Sequence, residues 1–187
     1  VHIVSVGSKT AMPIFAGGFA AIEAEFVFRL GQSVEPSERE WSDEELAGLV
    51  AGLHIGAEIA SSPMAEINNL GPTVVASDFG NNAGLLLGPE IPNWQSLRPA
   101  DLPSKVLIDG DVVGDASAAA VPGGPIAALR FTVTLSADRG LALPAGTLIS
   151  TGASTGIHDV EAGSQSRVEF GDYGWFDVTF EPMSGGQ

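Results

Sequence analysis

The chain has 187 residues, 44% of them hydrophobic, and a formal charge of −15, which predicts one soluble globular domain over 1–187 that buries a core without disulfide or metal staples. Eight Lys and Arg against 23 Asp and Glu argue against nucleic acid, whose phosphates need clustered cations. The absence of cysteine excludes disulfides, thiolate catalysis and Cys-ligated zinc, and no apolar run reaches the roughly 18 residues of a membrane span.

The chain begins with Val1 and carries no signal-peptide pattern. Twenty-four glycines and twelve prolines spread along it predict many short strands and turns. The first run is "VHIVSV"; after a Gly-Gly break comes "AIEAEFVFRL". There Ile22, Ala24, Phe26, Phe28 and Leu30 alternate with Glu23, Glu25, Val27 and Arg29, the period-two pattern of a strand.

A helix is expected from "WSDEELAGLVAGLH", where Ser42 and Glu45 form a capping box. Leu46, Leu49, Val50 and Leu53 recur at helical spacing behind it. Asp109-Gly110 between apolar runs predicts a hairpin. The segment "PIAALRFTVTLSADRG" fits a strand through Phe131, Val133 and Leu135, or a helix through Ile126, Leu129 and Val133; periodicity leaves both open. Near the end, "RVEF" and "WFDVTF" around "GDYG" read as two strands, and the tail "SGGQ" is expected to fray. No internal repeat or linker is present. The expected architecture is α+β and β-rich: a folded-over mixed sheet with one or two helices.

On a strand, Glu23 and Glu25 share a face with Cα atoms roughly 6.5–7 Å apart. One hard cation takes an oxygen from each, and a third carboxylate makes a three-acid site suited to Mg²⁺ or Mn²⁺. The pair is equally what the wet face of an antiparallel strand looks like. Glu58, in "GLHIGAEIASS", is a carboxylate in apolar company, to be paired or to sit in water at a strand end. His54 and His158 read either as a base or ligand, or as hydrogen-bonded structural residues. "TGASTG" lacks the lysine of a phosphate loop; it is a turn, or a loop whose N–H groups meet a carboxylate. No G-x-S-x-G elbow marks a serine hydrolase.

Taken in order, "IEAEFVF", "GAEIASS", "VVASDFGNNAGLLLGPEI", "GGPIAAL", "LPAGTLISTGASTG" and "VEAGSQSRVEF" resemble the fumarylacetoacetate hydrolase superfamily. Within it they are most similar to the 2-keto-4-pentenoate hydratase and 4-oxalocrotonate decarboxylase branch. The resemblance implies the mixed β roll of that superfamily's C-terminal domain, with a helix for "PIAALRF". It implies Glu23, Glu25 and Glu58 as ligands of Mg²⁺ or Mn²⁺, and Asp78 as the acid–base group. Asn81, Thr151 and Gly152 would meet the substrate, a small 2-oxo acid turned over through a metal-stabilised enolate. Hydration of a 2-hydroxydienoate or decarboxylation is the leading reading, C–C hydrolysis of a fumarylpyruvate or acylpyruvate type the second. A cytoplasmic homo-oligomer is also implied.

The departures are specific. Nothing matches the branch's G-x-K-[IV]-G motif, and Lys9 in "VGSKTAM" lacks its following glycine. Gly124 stands for the usual His, Pro63 for an Arg and Asn81 for a Ser. They keep a third reading open: a metal-binding domain without turnover, or a partner subunit completed by another chain.

Overall fold

The structure, a computed structural model, describes residues 1–183; the tail 184–187, expected to fray, lies outside the described residues. Eleven strands and three α-helices follow in chain order among them. They are β1 (His2–Ile3), β2 (Lys9–Ile14), β3 (Phe19–Leu30), α1 (Asp43–Leu49), β4 (Val50–Ser62), α2 (Pro72–Ser77), β5 (Asn82–Glu90), β6 (Pro103–Ile108) and β7 (Asp111–Ser117). Then come α3 (Pro125–Asp138), β8 (Leu148–Ser150), β9 (His158–Asp159), β10 (Gln165–Glu169) and β11 (Trp175–Pro182).

Two mixed sheets pack face to face. The first runs β1-β5-β4-β3-β8, with β9 on the same edge of β3 as β8; the second runs β2-β11-β10-β6-β7. Each is antiparallel except for one parallel pair, β1 with β5 and β2 with β11. The alternation in β3 decides which face lies inside. Ile22, Ala24, Phe26, Phe28 and Leu30 turn inward with Leu53, Ile55, Ala57 and Ile59 of β4, all at most 1% exposed. From the second sheet, Val106, Val168, Phe176 and Val178 meet them, equally buried. Phe26 meets Phe170 edge-on across the gap, ring centres 5.4 Å apart, a geometry favoured by the ring quadrupoles.

The hairpin at Asp109-Gly110 is present between β6 and β7, with φ of 51° and 94°, both positive as a type I′ turn demands. The ambiguous segment is helical, as α3. The capped helix is shorter than its apolar stripe predicts. Ser42 and Glu45 form the capping box, but α1 stops at Leu49, and Val50 and Leu53 belong to β4. The spacing of Val50 and Leu53 fits a helix, yet the period-two run behind them pairs with β3 from Val50 onward, and that ladder takes the backbone. "VHIVSV" yields only the two-residue β1, and the short α2 was not signalled by periodicity.

Candidate metal centre

The outer face of the first sheet carries the acids. Alternation puts Glu23 and Glu25 on the face opposite the core, and the antiparallel register sets Glu58 of β4 directly across from Glu23. Gly56 lies opposite Glu25. A Cβ there would come within 2.8 Å of the Leu86 carbonyl oxygen and 2.9 Å of Val27 Cγ2, so only glycine lets the strands close beside Glu25.

One oxygen of each of Glu23, Glu25 and Glu58 lies within 4.8 Å of the other two. The solvated-strand reading fails for Glu25, which is 2% exposed. Burial first, and then the neighbouring Glu58 charge, push Glu23 up to about 7 and Glu25 up to about 8. For Glu25 a hydrogen bond from Gly152 works the other way, and the Glu23 charge adds to the rise. No Lys or Arg contributes to either shift; Arg29 on the same face is paired with Glu90 at 3.8 Å. Three convergent carboxylates without a compensating cation fit a hard divalent ion, whose preferred donors are oxygens.

Two further groups fix the donors. Asn82, at the start of β5, donates its Nδ2 to Glu58 Oε1 at 2.7 Å, and the Gly152 N–H donates to Glu25 Oε2 at 3.1 Å. Gly152 belongs to the loop 151–157, which joins β8 to β9 along the edge of β3. Its φ of 98° lies in the region that glycine alone enters freely. Asn82 escaped the sequence reading because the β4–β5 register that brings it to Glu58 is not written in periodicity.

The other expected residues are distributed as follows. Thr151, 5% exposed, donates its N–H to the Phe26 carbonyl at 3.0 Å, while its Oγ1 is buried with no partner. Asp78 caps the C-terminus of α2 and lines a cavity of about 220 Å³ with Ser62, Pro63, Met64 and Ile67; its Oδ2 is also buried without a partner. None of the three glutamates lines that cavity. Asn81, at φ 52°, donates its amide to Asn68, so of the two adjacent asparagines it is Asn82 that reaches the acids. His54 stands on the acid face opposite Val27, and its Nδ1 meets the Gly88 carbonyl at 3.0 Å. A carbonyl only accepts, so Nδ1 carries the proton. His158 meets Thr155 Oγ1 at 3.1 Å, and burial holds its ring below the usual histidine range. Lys9 lies on β2 in the second sheet, its Nζ on Gln165. Gly124 caps α3 at φ 79°, and a Cβ there would lie 3.3 Å from Pro99, which is why a histidine does not suit this backbone.

Residues 2–181 match the family profile described as fumarylacetoacetate (FAA) hydrolase C-terminal. No curated protein sequence matches the chain. Among solved structures, 4-oxalocrotonate decarboxylase from Pseudomonas putida G7, complexed with magnesium and adipate, superposes with TM-score 0.78 at 22% identity. The match covers 95% of this chain and 66% of the decarboxylase. A 2-hydroxyhepta-2,4-diene-1,7-dioate isomerase from Mycobacterium marinum gives 0.68 at 18% identity, covering 98% of this chain and 66% of that one. Fumarylpyruvate hydrolase from Pseudomonas aeruginosa, in complex with Mn²⁺ and pyruvate, gives 0.65 at 17%, covering 96% and 75%. The chain thus spans about two thirds of the length of the decarboxylase it matches.

Proposed function

The chain belongs to the fumarylacetoacetate hydrolase C-terminal family, and on that premise we propose that it is a divalent-metal-dependent enzyme acting on a small 2-oxo acid, as a hydratase or decarboxylase. The observation that carries the reading is the Glu23–Glu25–Glu58 cluster, three acids on one sheet face with no cation among the groups that shift Glu23 and Glu25. These three side chains would hold Mg²⁺ or Mn²⁺. When bound, such an ion supplies Lewis-acid charge against which negative charge gathering on a 2-oxo group is stabilised.

The protein's own groups divide the remaining work. Asn82 holds Glu58 and the Gly152 N–H holds Glu25, so both carboxylates present fixed oxygens. The partnerless Thr151 hydroxyl is suited to a substrate carboxylate beside the Glu25 edge. Asp78, which lines its own cavity and has a buried oxygen without a partner, is the proposed acid–base group, and Asn81 its neighbour toward substrate. C–C hydrolysis is the second reading, favoured by the fold likeness to fumarylpyruvate hydrolase.

Calorimetric titration of metal-stripped protein with Mg²⁺ and Mn²⁺, with oxalate present, tests the centre. Wild type is expected to bind near one ion per chain, and Glu25→Ala to bind none. Absence of binding in the wild type would remove the enzyme reading for this chain. Once binding is established, product analysis on dienoate, 2-oxo diacid and acylpyruvate substrates separates hydration, decarboxylation and hydrolysis.

A further inference from the structure

The loop that meets Glu25 is held by a buried polar link between the two sheets. Ser154 is 2% exposed. Its N–H and its hydroxyl both donate to the Ala24 carbonyl, each at 2.8 Å. Its oxygen also lies 2.9 Å from the hydroxyl of Ser104, which is 1% exposed on β6 of the second sheet. Ala24 sits between Glu23 and Glu25 on β3. The hydroxyls therefore form a chain: Ser104 donates to Ser154, and Ser154 donates to the backbone of the acid-bearing strand. Two residues earlier, the Gly152 N–H reaches Glu25.

The surroundings leave the loop little other support at this point. Between β8 and β9 the ladder with β3 is interrupted, so residues 151–157 follow the edge of β3 without continuous pairing. The hydrogen bonds that hold the first half of the loop to that edge come from Thr151, Gly152 and Ser154. The second half is packed by Gly114 of β7, where a Cβ would come within 2.5 Å of His158 Nε2 and 2.8 Å of Thr155 Cβ. In a core lined by apolar side chains, two adjacent buried hydroxyls cost desolvation that only good mutual geometry repays. Their placement behind Glu25 points to a task other than bulk stability.

We propose that Ser154 is a positioning residue for the metal centre: anchored by Ser104, it fixes the height of the loop so that the Gly152 N–H stays on Glu25 and presents that carboxylate to the cation. The inference rests on the reading of Glu25 as a metal ligand. Groups behind a ligand tune affinity by about 10–100-fold. Ser154→Ala, which removes both hydroxyl bonds, is expected to weaken Mn²⁺ binding about tenfold. Ser104→Ala, which removes only the link between sheets, is expected to fall between it and wild type.

The experiment pairs Mn²⁺ affinity, measured well below the unfolding temperature, with amide hydrogen exchange at Gly152 in the metal-free proteins. Expected are weaker binding and faster Gly152 exchange in Ser154→Ala, smaller changes in the same direction in Ser104→Ala, and restoration of both readouts in Ser154→Thr, which returns a hydroxyl. Wild-type affinity and wild-type Gly152 protection in folded Ser154→Ala would overturn the proposal, as would a loss of stability with both readouts unchanged. If wild type binds no Mn²⁺, the metal reading fails separately and the role of Ser154 is overturned with it. Should Ser154→Ala not fold, Ser104→Ala decides by the same two readouts.

Discussion

Glu25 keeps a carboxylate in a place that opposes its charge, and Glu23 shares the strain from a partly buried position. Both groups hold protons to higher pH in the folded chain than in the unfolded one, where the ordinary value is 4.5. Between that value and the folded values of about 7 and 8, the folded state binds more protons, so the contribution to stability falls as pH rises. Below about 4.5 this contribution is fully present; above about 8 it is gone. The metal-free protein is therefore expected to lose melting temperature from pH 5 to pH 8 relative to Glu25→Gln, whose neutral amide removes most of the slope. A divalent ion replaces the protons, so its stabilising effect is expected to be larger at pH 8 than at pH 5.5; thermal scans with and without Mg²⁺ read both. Asn82→Ala addresses Glu58 instead. It is expected to weaken Mn²⁺ affinity about tenfold while shifting stability by less than about 0.5 kcal/mol, as for other exposed substitutions. That Glu23 and Glu25 share a face was legible in the spacing, whereas their convergence with Glu58 was signalled only by the ordered motifs. Asn82 was not, because nothing in the order of residues says which asparagine of a pair a β-register will carry to a strand across the sheet.

At the scale of the element, β3 and β4 show what pattern can settle and where it stops. Period two in "AIEAEFVFRL" gave the correct faces of β3, hence the core set and the acid set together. In "EELAGLVAGLH" two periods overlap: Leu46 and Leu49 serve the helix, while Val50 and Leu53 fit either. The helix ends at Leu49 because β4 begins pairing at once with Leu30, a long-range contact that no local spacing reports. The same limit hid the strand-or-helix choice in α3, which the family resemblance resolved. Gly124 shows the converse: with φ at 79° and Pro99 3.3 Å from any Cβ, the residue type follows from the backbone. Gly124→His is expected to destabilise the fold by about 1–2 kcal/mol through left-handed strain, measured by urea unfolding, rather than to restore a side chain that relatives of the branch carry.

Across the whole molecule, the sheet order places chemistry at a seam. The acids come from two central strands of one sheet, and their supports come from its neighbours: β5 through Asn82, and the loop after β8 through Gly152. A mixed roll was legible from many short strands and the ordered motifs, whereas the pairing of β2 with β11 was not, since it joins the two ends of the described chain. Among the described residues, β2 pairs with β11 alone, from Lys9 with Asp177 to Ile14 with Pro182. That closure has a consequence for how the molecule is made. Residues of β2 must wait for β11 to be synthesised before their strand has a partner, and such long-range pairing slows folding into the range of milliseconds to seconds. Until then the β2 edge and its buried Met12 and Ile14 are exposed as a template for pairing with other chains. A chain stopped before Trp175 is accordingly expected to sediment as aggregate after synthesis, while the 187-residue chain stays in the supernatant; β11 acts as the latch that keeps nascent copies apart.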